Sequence, residues 1–528
     1  MTNDELVANV RTVADAVQTT LGPFGANKLL VQQDGTVTAT ASSTELLERF
    51  DITDPAMTLL QTAASGFGDR YGDGTGTVVT LAGALLREAD GLAEQGLHPT
   101  AIEQGYRDGL DSALAAIDRT ARPLSPYGAE AVAKTALTGT RDPQVRQSVS
   151  AQVASVVEQV GPDGNDSVRV VSRPGGATAE TELLRGVVLE RGPILESMPR
   201  SPGRDGIAVL SSSVDVPHVG SQLGDVSRRV VFDADSFEAR EGIAEYESEA
   251  FAEQLQAAID AGCGAIVTER AINERVQTRL AAEGILGIQR VDTDELRGVA
   301  RITDATVVPS LDQVSEVTLG RGTITVQRKT GRDVTVFKSD AGEPAYTLFC
   351  RAPDPRTVTA FEHSVETAIA ATAAAVRDGR VVPGGGAVEA TVSQAVKSEA
   401  RSLEGRQQLS ADAFGTALMT IPRVLARTAG LDGGRTVVQL RVARSDGRDS
   451  TGIDALAGTT ADVLGDDPII EPVSTKKAIL TAATDLATQL IRIDDRLQAD
   501  DLSDDDDVVP EEEPTGGQQA PAGQGRNA

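Results

Sequence analysis

The chain has 528 residues, 40% of them apolar. That is too long for one hydrophobic core, so two to four domains are expected. A formal net charge of −29, only 3% aromatic residues and no tryptophan disfavour nucleic-acid binding and leave nothing like a base-stacking platform. Of 49 basic residues only Lys28, Lys134, Lys329, Lys338, Lys397, Lys476 and Lys477 are lysine. An acidic surface poor in lysine reads as adaptation to high salt, where screening over roughly 3 Å at molar concentration makes self-repulsion tolerable. Binding of basic partners is the competing reading, and the even spread of acid along the chain speaks against it.

From Leu6 to Gln18 apolar residues recur at helical spacing, and Gly22-Pro23 ends the helix. Strands at 29–31 and 36–40 flank Asp34-Gly35, a two-residue turn signal. Helices are expected over 56–66, 77–95 and 100–120, with a boundary at Pro123 and Pro126 and further helix from about 129 to 160. Runs at 168–171 and 186–189 read as strands, and from 207 to about 349 short β-runs at 207–210, 265–267, 323–327 and 334–337 alternate with helices, which implies an α/β module. Pro353 and Pro355 end it, an Ala-rich helix runs from 356 to about 377, and mostly helical sequence continues to Gln498. The tail from Asp500, acidic and then rich in Gly, Gln and Pro, reads as disordered. Cys263 and Cys350 lack metal-ligand spacing and read as reduced, buried residues; His98, His218 and His363 are scattered. No segment approaches the roughly 20 apolar residues of a membrane span, so no membrane association is expected and the location reads as cytoplasmic.

Tyr71-Gly72-Asp73-Gly74-Thr75-Gly76-Thr77 runs straight into the apolar helix pattern that begins at Val78. Glycines let backbone N–H groups approach an anion, a helix N-terminus favours negative charge, and a lone Asp suits a magnesium ion that also takes phosphate oxygens. A capped turn before a helix is the alternative for that motif alone. Three further blocks accompany it: Thr20-Leu21-Gly22-Pro23-Phe24-Gly25, Val382-Pro383-Gly384-Gly385-Gly386 and Leu490-Ile491-Arg492-Ile493-Asp494-Asp495.

These four blocks, in this order and spacing, resemble a subunit of the group II chaperonins, the archaeal thermosome family. The resemblance implies a multidomain α/β fold. A mostly helical equatorial, nucleotide-binding domain would be split between 1–125 and 384–500, with an intermediate domain at 126–193 and 353–383. An apical domain with a helical protrusion (233–261) would span 194–352, and 501–528 would be the tail. It also implies ATP and Mg²⁺, with K⁺ admitted, paralogous subunits in a double ring, and unfolded client proteins. By position, the nucleotide-binding residues would be Leu21, Gly22, Pro23, Asp73, Gly74, Thr75, Gly76, Thr77, Gly384, Gly385, Gly386 and Glu471. Asp73 would hold the metal.

The departures from the family pattern bear on chemistry. A family Asp that helps position the attacking water falls on Ser42, a second catalytic Asp falls on Thr367, and a Lys that meets the terminal phosphate falls on Thr140, with Arg141 beside it. Glu45 and Glu366 stand near as substitute carboxylates, although neighbours on a helix point about 100° apart, so Glu366 would need a register shift. The first helix also begins almost at the N-terminus, which would omit the family's intersubunit strand. The expected function is therefore an ATP-binding chaperonin subunit with impaired hydrolysis. The alternative is a structural or holdase subunit that has lost the ATP cycle.

Overall fold

The computed structural model describes residues 3–31, 37–50, 55–164, 167–215, 249, 251–329 and 331–493. The turn at Asp34-Gly35, His218, residues 233–248 of the expected protrusion, Asp494, Asp495 and the tail lie outside them.

Helices dominate the first block. α1 (Asn3–Gln18) leads to the antiparallel hairpin β1 (Lys28–Val31) and β2 (Val37–Thr40), and α2 (Ser43–Arg49) follows. α3 (Pro55–Tyr71), α4 (Thr75–Glu94) and α5 (Pro99–Thr120) complete it, with a two-residue strand β3 (Arg122–Pro123) at its end. α3 continues five residues past the expected end at Gly66. α4 starts after Gly74, at φ +91°, and is buried almost continuously from Thr75 to Leu86. Gly83 lies against α1, where an added Cβ would stand 2.3 Å from Ala14 Cβ.

The helical stretch expected at 129–160 is two helices, α6 (Ala129–Ala136) and α7 (Pro143–Val160). The break falls where Asp142 caps α7, its carboxylate accepting from the N–H groups of Gln144 and Val145, and Pro143 opens the first turn. β4 (Val168–Pro174), β5 (Glu182–Arg185) and β6 (Val187–Leu189) come next.

The α/β layer follows: β7 (Gly206–Leu210), α8 (251–260), β8 (Cys263–Thr268), α9 (Glu274–Ala282), β9 (Leu286–Ile288), α10 (Thr293–Thr303), β10 (Val307–Val308) and β11 (Gly320–Arg321). Strands run parallel in the order β10-β7-β8-β9, and β11 lies antiparallel on β7. β7, β8 and β9 are buried along their whole length, as strands covered on both faces are. β12 (Thr323–Lys329) and β13 (Arg332–Lys338) form a hairpin that pairs with β6. A strand absent from the sequence expectations, β14 (Tyr346–Ala352), pairs parallel with β4 and antiparallel with β5. All seven of its residues are buried, so no alternation marks it. Cys263 and Cys350 are free and buried in these strands; burial pushes the Cys263 thiol up to about 12.

α11 (Pro355–Asp378) is fixed at both ends: the Asp354 carboxylate accepts from Arg356 N at 3.0 Å and Thr357 N at 3.1 Å, and Gly379 closes the helix at φ +61°. β15 (Arg380–Pro383), α12 (Ala387–Ala400), α13 (Arg406–Leu418), α14 (Thr420–Thr428) and α15 (Gly433–Ser445) follow. The expected helical run to Gln498 is interrupted by the hairpin β16 (Thr451–Asp454) and β17 (Thr459–Asp462) and by β18 (Ile470–Pro472), before α16 (Val473–Ile491). β15 lies between β18 and β3, which ties the two chain ends together.

Three main cores result. Val17, Leu60, Leu85, Ile102 and Tyr106 from the first block join Val392, Phe414, Leu480 and Leu490 from the last in one cluster. A second is built on β7, β8 and β9 with Leu280, Val299 and the α8 residues Phe251, Leu255 and Ala258. A third packs α7 against β14 and Phe361 and Val365 of α11. The chain is a multidomain α/β protein.

Candidate functional site

Two glycine turns and the starts of two helices converge on Asp73. The turn after α1 has Gly22 at φ +80°, and Thr20 Oγ1 lies 3.1 Å from Ser43 Oγ at the start of α2. Between α3 and α4, Gly72 (φ +65°) and Gly74 (φ +91°) take conformations that a side chain would strain. Their contacts explain the need for glycine: a Cβ on Gly72 would stand 2.4 Å from Ala370 Cβ in α11, one on Gly74 2.7 Å from Ile479 in α16, and one on Gly76 2.3 Å from Ser43 Oγ and 2.9 Å from Leu21. Leu21 and Asp73 to Thr77 are thus brought together at the N-terminus of α4, while a Cβ on Gly22 would stand 3.0 Å from Leu425 of α14.

Asp73 is half-buried. Burial holds its carboxyl above the ordinary range, partly offset by a hydrogen bond from the Gly74 N–H and by the charges of Lys476 and His363. Lys476 is buried and bonds Glu389 Oε1 at 2.7 Å and Glu471 Oε2 at 2.5 Å. Desolvation pulls its ammonium down, but the two carboxylates outweigh that and hold it above its ordinary value. Burial likewise raises Glu471, against Lys476 and with Glu389 and Asp73 adding repulsion. Glu389 Oε2 is buried without a hydrogen-bond partner among the described residues. The triple glycine joins this side: Gly385 and Gly386 have φ +60° and +76°, a Cβ on Gly384 would lie 3.1 Å from Glu471 Oε1, and one on Gly385 would lie 2.4 Å from the Ile453 carbonyl.

The opposite side carries the departed positions. Ser42 Oγ caps α2 by accepting from Glu45 N at 3.3 Å, and it lies 3.0 Å from His363 Nε2 on α11. Glu45 itself is engaged by Arg49 at 2.9 Å, one turn along α2. Glu366 Oε2 lies 3.9 Å from His363 Nδ1. His363, Thr367 and Ala370 share one face of α11 at i, i+4 and i+7, and Glu366 lies beside it. Thr140 Oγ1 accepts from Asp142 N at 3.3 Å, while the Arg141 guanidinium lies over the Phe24 ring at 4.6 Å and Gly139 N donates to Ser364 Oγ at 2.8 Å. The 137–142 loop thus touches both the first glycine turn and α11.

A family model for the TCP-1/cpn60 chaperonin family matches residues 13–501. The chain belongs to this family. A thermosome subunit of Methanopyrus kandleri is 34% identical over 504 residues, covering 93% of this chain and 91% of the relative. Thermosome subunit alpha of Halobacterium salinarum is 33% identical, covering 93% and 88%. Thermosome subunit 3 of Haloferax volcanii is 35% identical, covering 93% and 94%. The fold is accordingly that of a group II chaperonin subunit. No helix among the described residues is long and apolar enough to cross a membrane.

Sequence reasoning passed over two features of this chaperonin site. His363 was set aside as one of three scattered histidines, although its place four residues before Thr367 puts both on one helical face. The buried pair of Lys476 and Glu389 joins residues 87 apart in sequence; its one local sign is a lone carboxylate inside the apolar run Ala387-Val388-Glu389-Ala390.

Proposed function

We propose that the turns around Asp73 bind ATP with Mg²⁺, and that the chain acts as an ATP-binding chaperonin subunit that helps other proteins fold. It would work in a double ring with paralogous subunits and take unfolded or partly folded clients. Backbone N–H groups of Gly22 and Thr75 to Thr77 would hold the phosphates, with Leu21, Pro23 and Gly74 shaping the two turns. Gly384 to Gly386 and Glu471 would border the nucleoside, and Asp73 would take the metal, with K⁺ as a further counterion.

The observation that carries this reading is the half-buried Asp73 at the start of α4, framed by left-handed glycines. The residues fit a metal nucleotide: a divalent cation would relieve the desolvation that burdens this carboxyl. Calorimetric titration of Mg²⁺-ATP in molar potassium chloride, beside Asp73→Ala, tests it. Binding that survives the substitution undiminished would refute the assignment of Asp73.

Hydrolysis is proposed to be impaired, because Ser42 and Thr367 supply no carboxylate and Glu45 is tied to Arg49. The same observation favours a second reading, a holdase or structural subunit without an ATP cycle. Protection of the apical protrusion from protease on adding nucleotide separates the two, since only a working cycle moves a lid.

A further inference from the structure

Among the described residues around Asp73, most ionisable groups are already committed. Lys476 is enclosed by two carboxylates, and Glu45 is held by Arg49. His363 differs: it is an imidazole on the α11 face that leads to Ala370 beneath Gly72, with one ring nitrogen on a hydroxyl and the other toward a carboxylate. Seven residues of helix separate His363 from Ala370, about 10 Å along the axis, and Thr367 lies between them on the same face.

Resting on the nucleotide reading above, we propose that His363 and Ser42 form a proton relay for the water that attacks the terminal phosphoryl group, with Glu366 orienting the ring. The relay uses the tautomer in which the Ser42 hydroxyl, whose oxygen accepts from Glu45 N, donates to His363 Nε2 at 3.0 Å. That tautomer carries its proton on Nδ1, facing Glu366 Oε2. In the step, the water oxygen bonds to phosphorus as the bond from phosphorus to the bridging oxygen breaks, and that electron pair leaves on the nucleoside diphosphate. The water gives a proton to Ser42 Oγ while the Ser42 proton passes to Nε2. The resulting imidazolium is balanced by Glu366 and returns its proton to solvent when inorganic phosphate leaves. Ser42 would contact the reacting water; His363 acts through it and Glu366 through His363, so both are positioning residues in the strict sense.

The test uses the full chain in molar potassium chloride with Mg²⁺, measuring single-turnover ATP hydrolysis and, separately, affinity for the non-hydrolysable analogue AMP-PNP. His363→Ala should lower the rate about 100-fold, within the range for a positioned base, while AMP-PNP affinity stays within about twofold. Added imidazole should restore at least about tenfold of the loss, which a purely structural role would not allow. His363→Gln keeps a partner for Ser42 but takes no proton, and it should lose as much as His363→Ala while folding normally; Glu366→Gln should lose less than about tenfold. A wild-type rate in His363→Ala and His363→Gln, absence of imidazole rescue, or absence of hydrolysis by the wild type would each overturn the relay. Failure of the wild type to bind AMP-PNP would remove the nucleotide reading as well, so the two failures are distinguishable.

Discussion

On one side of Asp73, Lys476 is sealed between Glu389 and Glu471; burial raises the Glu471 carboxyl, while the two carboxylates hold the Lys476 ammonium above its ordinary value. On the other, His363 and Glu366 are partly open to solvent, with side chains 44% and 56% exposed, and Ser42 is held by an ordinary cap. The first side is embedded in the packing that joins the chain ends, since Glu389 lies on α12 and Lys476 on α16. The second lies between α2 and α11. Substitutions on the first side should therefore be felt in the fold, and substitutions on the second in chemistry alone.

The largest effect belongs to Lys476→Met. It leaves the Glu389 and Glu471 carboxylates facing each other without a cation, and loss of one partner from a buried pair costs about 3 to 5 kcal/mol. Chemical denaturation in molar potassium chloride should show that loss, and adding Glu389→Gln should recover part of it. An unchanged midpoint would mean that the enclosed side is not structural. Gly385→Ala is next, at about 2 kcal/mol, because it combines φ +60° with a Cβ 2.4 Å from the Ile453 carbonyl. Gly379→Ala supplies the control: a similar φ of +61° with nothing within 4 Å should cost about 1 kcal/mol. Equal losses would show that close approach to β16 is not what Gly385 provides.

Thr367→Asp probes the open side. It returns a carboxylate to the face shared by His363 and Ala370, and turnover of ATP should rise about tenfold or more, a modest share of what a positioned base contributes. The unfolding midpoint should stay within about 0.5 kcal/mol of wild type, as for a substitution away from the core. A drop in stability without a gain in rate would erase the contrast between the two sides.

The sequence showed the fold class because its strongest signals are local. α4 carries a long apolar run behind a glycine loop, and α11 is framed by Asp354, Pro355 and Gly379. The glycine turns were legible for the same reason, since positive φ is a demand of single residues. β14 was not, because a strand buried on both faces has no alternation. The β16 and β17 hairpin was overlooked between helical neighbours, although Asp454, which accepts from Ala457 N, and Gly458 at φ +65° mark its turn. Nor was the Lys476 cluster legible: adjacent Lys477 bonds Asp118 instead, and nothing local says which lysine turns inward. Partners of that kind are fixed by tertiary packing.

Asp73→Asn brings the smallest change in stability, and its sign depends on pH. Burial raises the Asp73 carboxyl above its unfolded value. The native state therefore takes up the proton first as pH falls, and stability rises through that window, down to the unfolded value. Read the other way, the contribution is present at low pH and is lost as pH rises through the raised native value. Asparagine has no charge to bury, so without Mg²⁺ near neutral pH the variant should equal or exceed the wild type by up to about 1 kcal/mol, the size of one modest polar contact. The difference should shrink as the wild-type carboxyl protonates. With Mg²⁺-ATP present the order should reverse, because only the wild type gains the ligand's stabilisation. Paired denaturation curves at two pH values, with and without Mg²⁺-ATP, read both effects. A variant less stable than wild type in the absence of ligand would mean that the carboxylate is held by protein contacts stronger than its desolvation, making Asp73 a structural residue like Lys476.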